Sequence, residues 1–156
     1  MIGAVRLYAA NLVERNVESV LTDGEGLEVL VAEQCLELLS SARLGRIAVT
    51  VGAVPSIFPV DYRLVDGQIV FRAGGGTNLY RAAASKVVAF EADEVDRSWQ
   101  QGWSVVAVGV AREVRDHETM SSTLDRAPDL WDPKTGSHVI AILPALLSGR
   151  RFVNAA

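Results

Sequence analysis

Length, composition and charge already exclude several classes of protein. The chain has 156 residues, about half of them apolar, a formal charge of −4, one cysteine and two histidines. This size fits one domain with a buried core, and the acidic balance argues against a nucleic-acid binder, which needs a basic face. A single cysteine excludes an internal disulfide and a cysteine-based metal cluster, so we predict no metal site. Without a signal peptide or an apolar run of about 18 residues, the expected location is cytoplasmic, with no membrane contact.

The first third of the chain predicts one helix. Residues 1–29 show no clear period, and we predict an N-terminal extension that is either an amphipathic helix or a covering strap. Residues 32–42 place their apolar side chains on one face at helical spacing. Gly45 follows, as is typical of a helix stop.

From Gly45 onward the apolar period becomes two, which predicts strands. The segments 45–51, 54–65 and 68–73 are rich in β-branched and aromatic residues. The Asp66-Gly67 dipeptide between the last two predicts a tight hairpin. Pro55 and Pro59 predict that their strand lies at a sheet edge or carries a bulge, because proline cannot donate to a ladder.

The second half adds further strands and one short helix. Residues 86–93 and 103–114 are predicted strands, and 116–127 a helix. Two more strands, 137–143 and 146–153, are predicted on either side of Pro144. Six or seven strands with mostly hairpin connections favour a mainly β fold, an antiparallel barrel with peripheral helices.

The stretch FRAGGGTNL, residues 71–79, is the first candidate site. Three glycines allow a sharp turn and a close ligand approach, and Thr77 stands where a helix N-cap would leave free N–H groups for an anion. Arg72 can bind a phosphate through two hydrogen bonds. The alternative is an ordinary flexible loop with a capping threonine. The sequence matches neither a Walker loop nor the dinucleotide fingerprint.

Two further segments are candidates for contact with a planar heterocycle. In SIFPVDYRL, residues 56–64, a proline inside a strand leaves backbone groups unpaired that can bind a polar ring edge; the alternative is a plain edge strand. Trp103 can stack on a ring and Ser104 can donate to it, although a tryptophan in a barrel is more often core. His138 is predicted to be a satisfied residue at the barrel end. No catalytic base is evident, so any chemistry would come from a cofactor.

The order of six motifs carries a resemblance to a known family. LGRIAV, PSIFPVDY, DGQIVFRAGGGTNL, VVAFEADEVD, GWSVVAVGVAREV and ILPALLSGRRF occur in this order between residues 30 and 153. Together they resemble the pyridoxamine 5'-phosphate oxidase-like family of FMN-binding split β-barrels. The resemblance implies a six-stranded antiparallel split β-barrel domain over residues 30–156 that forms a homodimer, with FMN held at the interface by both chains.

The resemblance also implies roles for individual residues of this chain. Arg72 and Thr77 would bind the phosphate, with Asn78 beside them. Four residues of one strand would run along the flavin through main-chain groups: Pro59, Val60, Asp61 and Tyr62. Trp103 and Ser104 would approach the ring, and Arg150 or Arg151 would lie near the cofactor or the dimer contact.

The phosphate motif departs from the family pattern at two positions. The family usually has a threonine after the arginine and a lysine after the serine or threonine, where this chain has Ala73 and Asn78. Loss of one charge-assisted contact, worth about 1.5–3 kcal/mol, predicts FMN binding weaker by about ten- to a hundredfold. The implied function is an FMN-dependent oxidoreductase acting on a small molecule. The alternatives are a non-catalytic flavin-binding or storage protein and a reductase that uses a 5-deazaflavin.

Overall fold

The structure of the protein is a computed structural model that describes residues 27–98, 100–114 and 137–153. The predicted helix over 116–127 and residues 1–26 of the predicted extension lie outside these ranges. The described elements are, in chain order, β1 (Glu28–Leu30), α1 (Ala32–Ser41), β2 (Leu44–Val51), β3 (Val54–Val65), β4 (Gln68–Gly74), α2 (Asn78–Ala83), β5 (Val87–Val95), β6 (Gln101–Glu113) and β7 (Ser137–Val153). None of these helices is long and apolar enough to cross a membrane.

Six strands close into a ring, which confirms the predicted six-stranded antiparallel split barrel. The order is β7-β4-β3-β2-β5-β6, and β6 returns to β7. All pairings are antiparallel, and β1 adds to the edge of β7. The strand β1 was not predicted; it has three residues and falls across the boundary between the expected extension and the domain. Six strands in a ring leave an interior that side chains fill completely.

Tight turns build the first three strands of this ring. Gly52 and Ala53 join β2 to β3, and Asp66 and Gly67 join β3 to β4; all four have φ between +49° and +74°. Consecutive positive φ values match the right-handed twist of paired strands, so these turns favour hairpins. The predicted Asp-Gly hairpin is confirmed, with Val65 opposite Gln68.

Side chains alternate between the barrel interior and its outer face. Tyr62, Phe71 and Phe90 are fully buried inside, together with small and branched residues from every strand of the ring. The two helices close the interior at opposite ends. Cys35 and Leu39 of α1 enter one end, hereafter the α1 end, and Ala82 and Ala83 of α2 enter the other, the α2 end.

The expected limits of the last two strands are corrected. Pro144 does not separate two strands, since β7 runs unbroken from Ser137 to Val153. The register along β6 shifts here, with Val108 opposite Leu146 and Gly109 opposite Pro144. Ala145 is therefore an extra residue on β7, and this bulge accommodates a proline that cannot donate to the ladder.

Gly45 is not a helix stop but a buried residue of β2. The helix α1 ends at Ser41. A Cβ atom on Gly45 would lie 2.1 Å from Cζ of the Phe90 ring. The glycine is therefore required by the close approach of an aromatic side chain, which the sequence pattern does not reveal.

The Tyr62 hydroxyl fastens α1 to the barrel. It donates a 2.7 Å hydrogen bond to the Leu39 carbonyl, one of the last four carbonyls of the helix, which lack an intrahelical partner. Burial raises the pKa of the Tyr62 phenol well above its usual range, so the hydroxyl stays protonated and remains a donor.

We expect Tyr62→Phe to lower the free energy of unfolding by about 1–2 kcal/mol, because a buried carbonyl loses its donor. Urea denaturation of the purified protein measures this change. Ser40→Ala is the matched control, since its exposed hydroxyl donates to the Glu37 carbonyl of the same helix at 2.7 Å and should contribute little. Equal effects of the two substitutions would contradict a special role of the buried contact.

Candidate functional site

The barrel is split between β3 and β4. Their ladder covers only the pairs from Val65↔Gln68 to Tyr62↔Phe71. Beyond Phe71, β4 pairs with β7 alone, and residues 54–61 of β3 pair with β2 alone. The expectation that Pro55 and Pro59 mark an edge is confirmed for this half of β3.

The open edge of β3 presents backbone groups of alternate residues. The Tyr62 N–H donates to the Arg43 carbonyl at 2.9 Å, on the β2 side. Because successive residues point to opposite sides, Val60 also faces β2, whereas Pro59 and Asp61 face the split. The Pro59 carbonyl and the Asp61 N–H are thus on the open side, and the missing N–H groups of both prolines lie there too, where no ladder is lost.

The four predicted strand residues therefore differ in what they can reach. Pro59 is exposed and Asp61 half-buried, while the Val60 and Tyr62 side chains lie in the core. Main-chain contact with a ligand in the split is available to Pro59 and Asp61.

The Asp61 carboxylate is held by two arginines. Arg63 donates to Oδ1 at 2.7 Å, and the Arg43 guanidinium lies 3.6 Å from Oδ2. Oδ2 is buried and has no hydrogen-bond donor within the described ranges. These positive charges beside the split were not recognised as a group in the sequence, because only the strand register brings Arg43 next to Asp61.

Arg72 lies on the wall of the split opposite to this edge. It is half-buried, paired in register with Val139 of β7, and points to the outer face because Phe71 and Ala73 face the core. Continuing the β3–β4 register places it next to Asp61. The structure thus brings Arg72 and the open edge of β3 together.

The glycine turn continues this wall into α2. Gly76 has φ +80°, a conformation that favours glycine. Thr77 is the N-cap of α2, as predicted: its Oγ1 accepts from the Tyr80 N–H at 3.2 Å. The same hydroxyl donates to the Gly74 carbonyl at 2.7 Å, so its proton is already used within the turn.

An arginine side chain stands beside Asn78. The Arg81 Nη2 donates to the Asn78 Oδ1 at 2.8 Å. The two residues are three apart on α2, the spacing at which helical side chains meet, and this spacing was the available sequence signal. Arg81 therefore supplies a positive charge at the position where the family lysine is missing.

Trp103 and Ser104 lie at the other end of the barrel. Ser104 is opposite Asp93 and Arg150, and Glu113 at the far end of β6 is opposite Ile140, which also pairs with Phe71. The nine residue-to-residue steps from Ser104 to Glu113 correspond to about 30 Å of extended strand. Within one chain, the structure does not bring Trp103 and Ser104 to the glycine turn.

These two neighbours also point to opposite faces of β6. Trp103 packs partly against the core and shares its face with Arg151, while Ser104 and Arg150 share the outer face. Arg150 donates to the Gly149 carbonyl at 3.0 Å. Of the four, only Ser104 and Arg150 share the outer face with Pro59 and Asp61.

A polar network at the α2 end satisfies His138, as predicted. The His138 Nδ1 and the Glu113 Oε1 are 2.6 Å apart, the Tyr80 hydroxyl donates to Glu113 Oε2 at 3.0 Å, and the Tyr80 and His138 rings stack at 4.3 Å. The network ties α2, and with it the glycine turn, to β6 and β7. Its members are far apart in sequence, so no local pattern revealed it.

Comparison with known proteins assigns the chain to a family. The profile of the family described as Pyridoxamine 5'-phosphate oxidase matches residues 31–151. An uncharacterized protein of Mycobacterium tuberculosis is 35% identical over 126 residues, which are 78% of this chain and 82% of that protein. The chain belongs to this family, and the resemblance drawn from the six motifs is confirmed.

Two solved structures of relatives carry the same fold. The FAD binding protein from Mycobacterium smegmatis is 42% identical, with a TM-score of 0.66, and the match covers 80% of this chain and 97% of that one. An FAD-binding protein from Mesorhizobium loti is 26% identical, with a TM-score of 0.68, covering 80% and 97%. The split barrel is thus shared nearly end to end with both structures.

Proposed function

We propose that this protein is a flavin-dependent oxidoreductase that binds the flavin at the split between β3 and β4. The observation that carries the proposal is the open backbone edge of β3 beside Arg72 and the glycine turn. Two relatives whose described function is FAD binding support it.

The open edge matches the polar edge of an isoalloxazine ring. The pyrimidine side of a flavin offers a carbonyl, an N–H and a second carbonyl in a row. The Pro59 carbonyl can accept from the flavin N–H, and the Asp61 N–H can donate to a flavin carbonyl. Arg43 and Arg63, held at Asp61, add positive potential that stabilises a negatively charged reduced flavin.

The phosphate end of the flavin would meet Arg72, Thr77, Asn78 and Arg81. Arg72 supplies a guanidinium on the wall of the split. The Asn78 amide keeps its N–H donors while its oxygen holds Arg81. Arg81 therefore offsets part of the loss expected from the missing lysine, whereas Ala73 is buried in the core and offers no hydroxyl.

FMN remains the cofactor proposed from the motifs, and FAD is the second candidate because two relatives are FAD-binding proteins. A site with one hydroxyl and one lysine fewer has less to offer the dianionic terminal phosphate of FMN. The diphosphate of FAD spreads its two negative charges over two phosphorus atoms and has no terminal dianion, so it depends less on charged contacts at one position. A 5-deazaflavin reductase and a non-catalytic flavin carrier remain the rival functions.

We also propose a homodimer, which the positions of the proposed contacts support. Ser104 points outward from β6, three strands around the ring from β3 in either direction, and Trp103 packs partly against the core, so neither lines the split of its own chain. A second copy can bring its α1 end to the split, and both sites are then completed by one two-fold axis. Light scattering should give twice the 16.8 kDa mass of one chain; a monomer at micromolar concentration with cofactor present would refute the shared site.

The chemical identity of the bound cofactor tests the proposal. Mass spectrometry of the small molecule released from purified protein should identify FMN or FAD, and the holoprotein should oxidise or reduce a test substrate with a flavin absorbance change. A deazaflavin would transfer the proposal to the rival reductase. A bound flavin without turnover would favour the carrier, and a colourless protein that binds none of the three would reject the proposal.

We expect Arg81→Gln to weaken FMN binding about three- to tenfold, because an exposed charge near a phosphate contributes about 1 kcal/mol. Isothermal titration at two salt concentrations measures the loss, which should shrink at high salt. Arg97→Gln, an exposed arginine in the turn after β5, is the control for net charge. Equal losses from both variants would contradict a local role for Arg81.

A further inference from the structure

A second pocket lies at the α1 end of the barrel, away from the split. Its volume is about 240 Å³, and it is lined by Glu94, Asp96, Gln101, Gly102, Trp103 and Arg151. This is below the roughly 300–1,000 Å³ of sites for drug-sized ligands. This volume suits a small metabolite and is too small for a flavin.

Three side chains of this pocket form a row across three strands. Glu94 of β5 is directly opposite Trp103 of β6, and Trp103 is directly opposite Arg151 of β7. Directly opposite residues of antiparallel strands point to the same face, so a carboxylate, an indole and a guanidinium stand side by side. Two strand spacings, about 10 Å, separate the acidic from the basic end.

The two carboxylates of the pocket are in different states. Asp96 is engaged in the β5–β6 turn, where it accepts from the Ser98 hydroxyl at 2.6 Å and from the Gln100 and Gln101 N–H groups at 2.8 and 3.2 Å. The Glu94 carboxylate makes no hydrogen bond or ion pair with any residue in the described part of the chain. Glu94 is therefore the carboxylate available to a ligand.

The basic end is also available. The Arg151 guanidinium lies 3.7 Å from Glu28 Oε2, and the two side chains are 34% and 45% exposed. An exposed ion pair of this length contributes little to stability, and a guanidinium has five N–H donors. Arg151 can therefore bind an anionic group without breaking a strong contact.

We propose that this pocket binds a small zwitterion, with its ammonium group between Glu94 and the Trp103 ring and its carboxylate or phosphate on Arg151. A carboxylate beside an indole face attracts an ammonium group both by charge and by the ring quadrupole. A guanidinium binds carboxylate or phosphate through paired hydrogen bonds. The distance between the two ends selects a ligand whose charges are separated by a short chain, as in an ω-amino acid. The pocket is formed by inward-facing side chains, whereas Ser104 and Arg150 of the same barrel end point outward, toward where a partner's flavin would lie, so the proposal does not depend on which flavin is bound.

The experiment is a calorimetric titration of the full-length protein, as isolated, with 6-aminohexanoate, hexanoate and hexylamine. These probes have the same chain length and carry both charges, the anion alone or the cation alone. We expect the zwitterion to bind at least tenfold more tightly than either singly charged probe. Equal affinities for all three, or no binding of the zwitterion up to about 10 mM, would overturn the proposal.

Single substitutions test which residue binds the ammonium group of the ligand and which binds its anionic group. Glu94→Gln should lower the affinity for 6-aminohexanoate at least fivefold and leave hexanoate binding within twofold, and Arg151→Gln should lower hexanoate binding and leave hexylamine binding unchanged. Glu28→Gln frees Arg151 from its ion pair and should not weaken binding, which separates ligand contact from the β1–β7 contact. Glu37→Gln, an exposed carboxylate on α1, controls for net charge. A loss in Glu37→Gln as large as in Glu94→Gln would refute a local site. The flavin content of each sample is measured separately, so failure here leaves the flavin proposal intact.

Discussion

Replacement of Arg72 by alanine should weaken FMN binding at least tenfold while riboflavin binding stays within twofold. Arg72 is half-buried on the wall of the split, next to the glycine turn. A charge-assisted contact to phosphate contributes about 1.5–3 kcal/mol, which corresponds to roughly ten- to more than a hundredfold in affinity. Riboflavin has the same ring but no phosphate, so it reports on everything except this contact.

Isothermal titration of both ligands against wild type and variant measures the two losses. Lys86→Ala removes an exposed positive charge in the connection to β5, and it should change neither affinity by more than twofold. Equal losses for FMN and riboflavin in Arg72→Ala would mean that the arginine supports the fold of the split and does not contact phosphate. Loss of FAD binding together with FMN binding would extend its role to either flavin nucleotide.

The hairpins could be predicted from sequence because their signals are local. Two-residue turns with positive φ, a period-two apolar pattern and a proline in an edge position each act over a few residues, and β3 runs from Val54 to Val65 as expected. The limits of β7 could not be predicted, because what lets Pro144 stay in the strand is an extra residue opposite β6. Gly45 likewise depends on the Phe90 ring, which is distant in sequence.

The same distinction, between local signals and contacts of residues distant in sequence, applies to the candidate site. The cap at Thr77 and the edge at Pro59 have local signals and were expected. The Arg43–Asp61 ion pair and the Glu113–His138 bond exist only through strand register. The side chains of Trp103 and Ser104 were grouped in the sequence, yet alternation along β6 separates them to opposite faces. Arg81 is the exception, since its helical spacing from Asn78 was visible in the sequence.

Gly109→Ala should be among the most destabilising single-methyl additions in the barrel, lowering the free energy of unfolding by about 2–3 kcal/mol. A Cβ at this position would lie 2.2 Å from the Leu143 carbonyl oxygen and 3.1 Å from Ile142 Cγ2. The carbonyl belongs to the backbone just before Pro144, where the bulge brings β7 over β6. A backbone group within a ladder cannot rotate away, so the β6–β7 closure of the ring must shift.

Gly102→Ala on the same strand is the matched control. Its Cβ would meet the Phe152 ring at 2.6 Å, an obstacle that a side chain can relieve by moving, and the Glu94 carbonyl oxygen at 3.0 Å, which needs a much smaller shift than the 2.2 Å contact at Gly109. Alanine also restricts the unfolded chain in both variants by a similar amount. We expect its cost to be about 1 kcal/mol or less. Urea denaturation at one fixed protein concentration measures both, because a dimer would make the midpoint depend on concentration. If Gly109→Ala is markedly less stable than Gly102→Ala, the closure of the barrel depends on the absence of a side chain at residue 109. If the two variants are equally stable, the backbone of β7 can shift at Pro144, and the prediction is wrong.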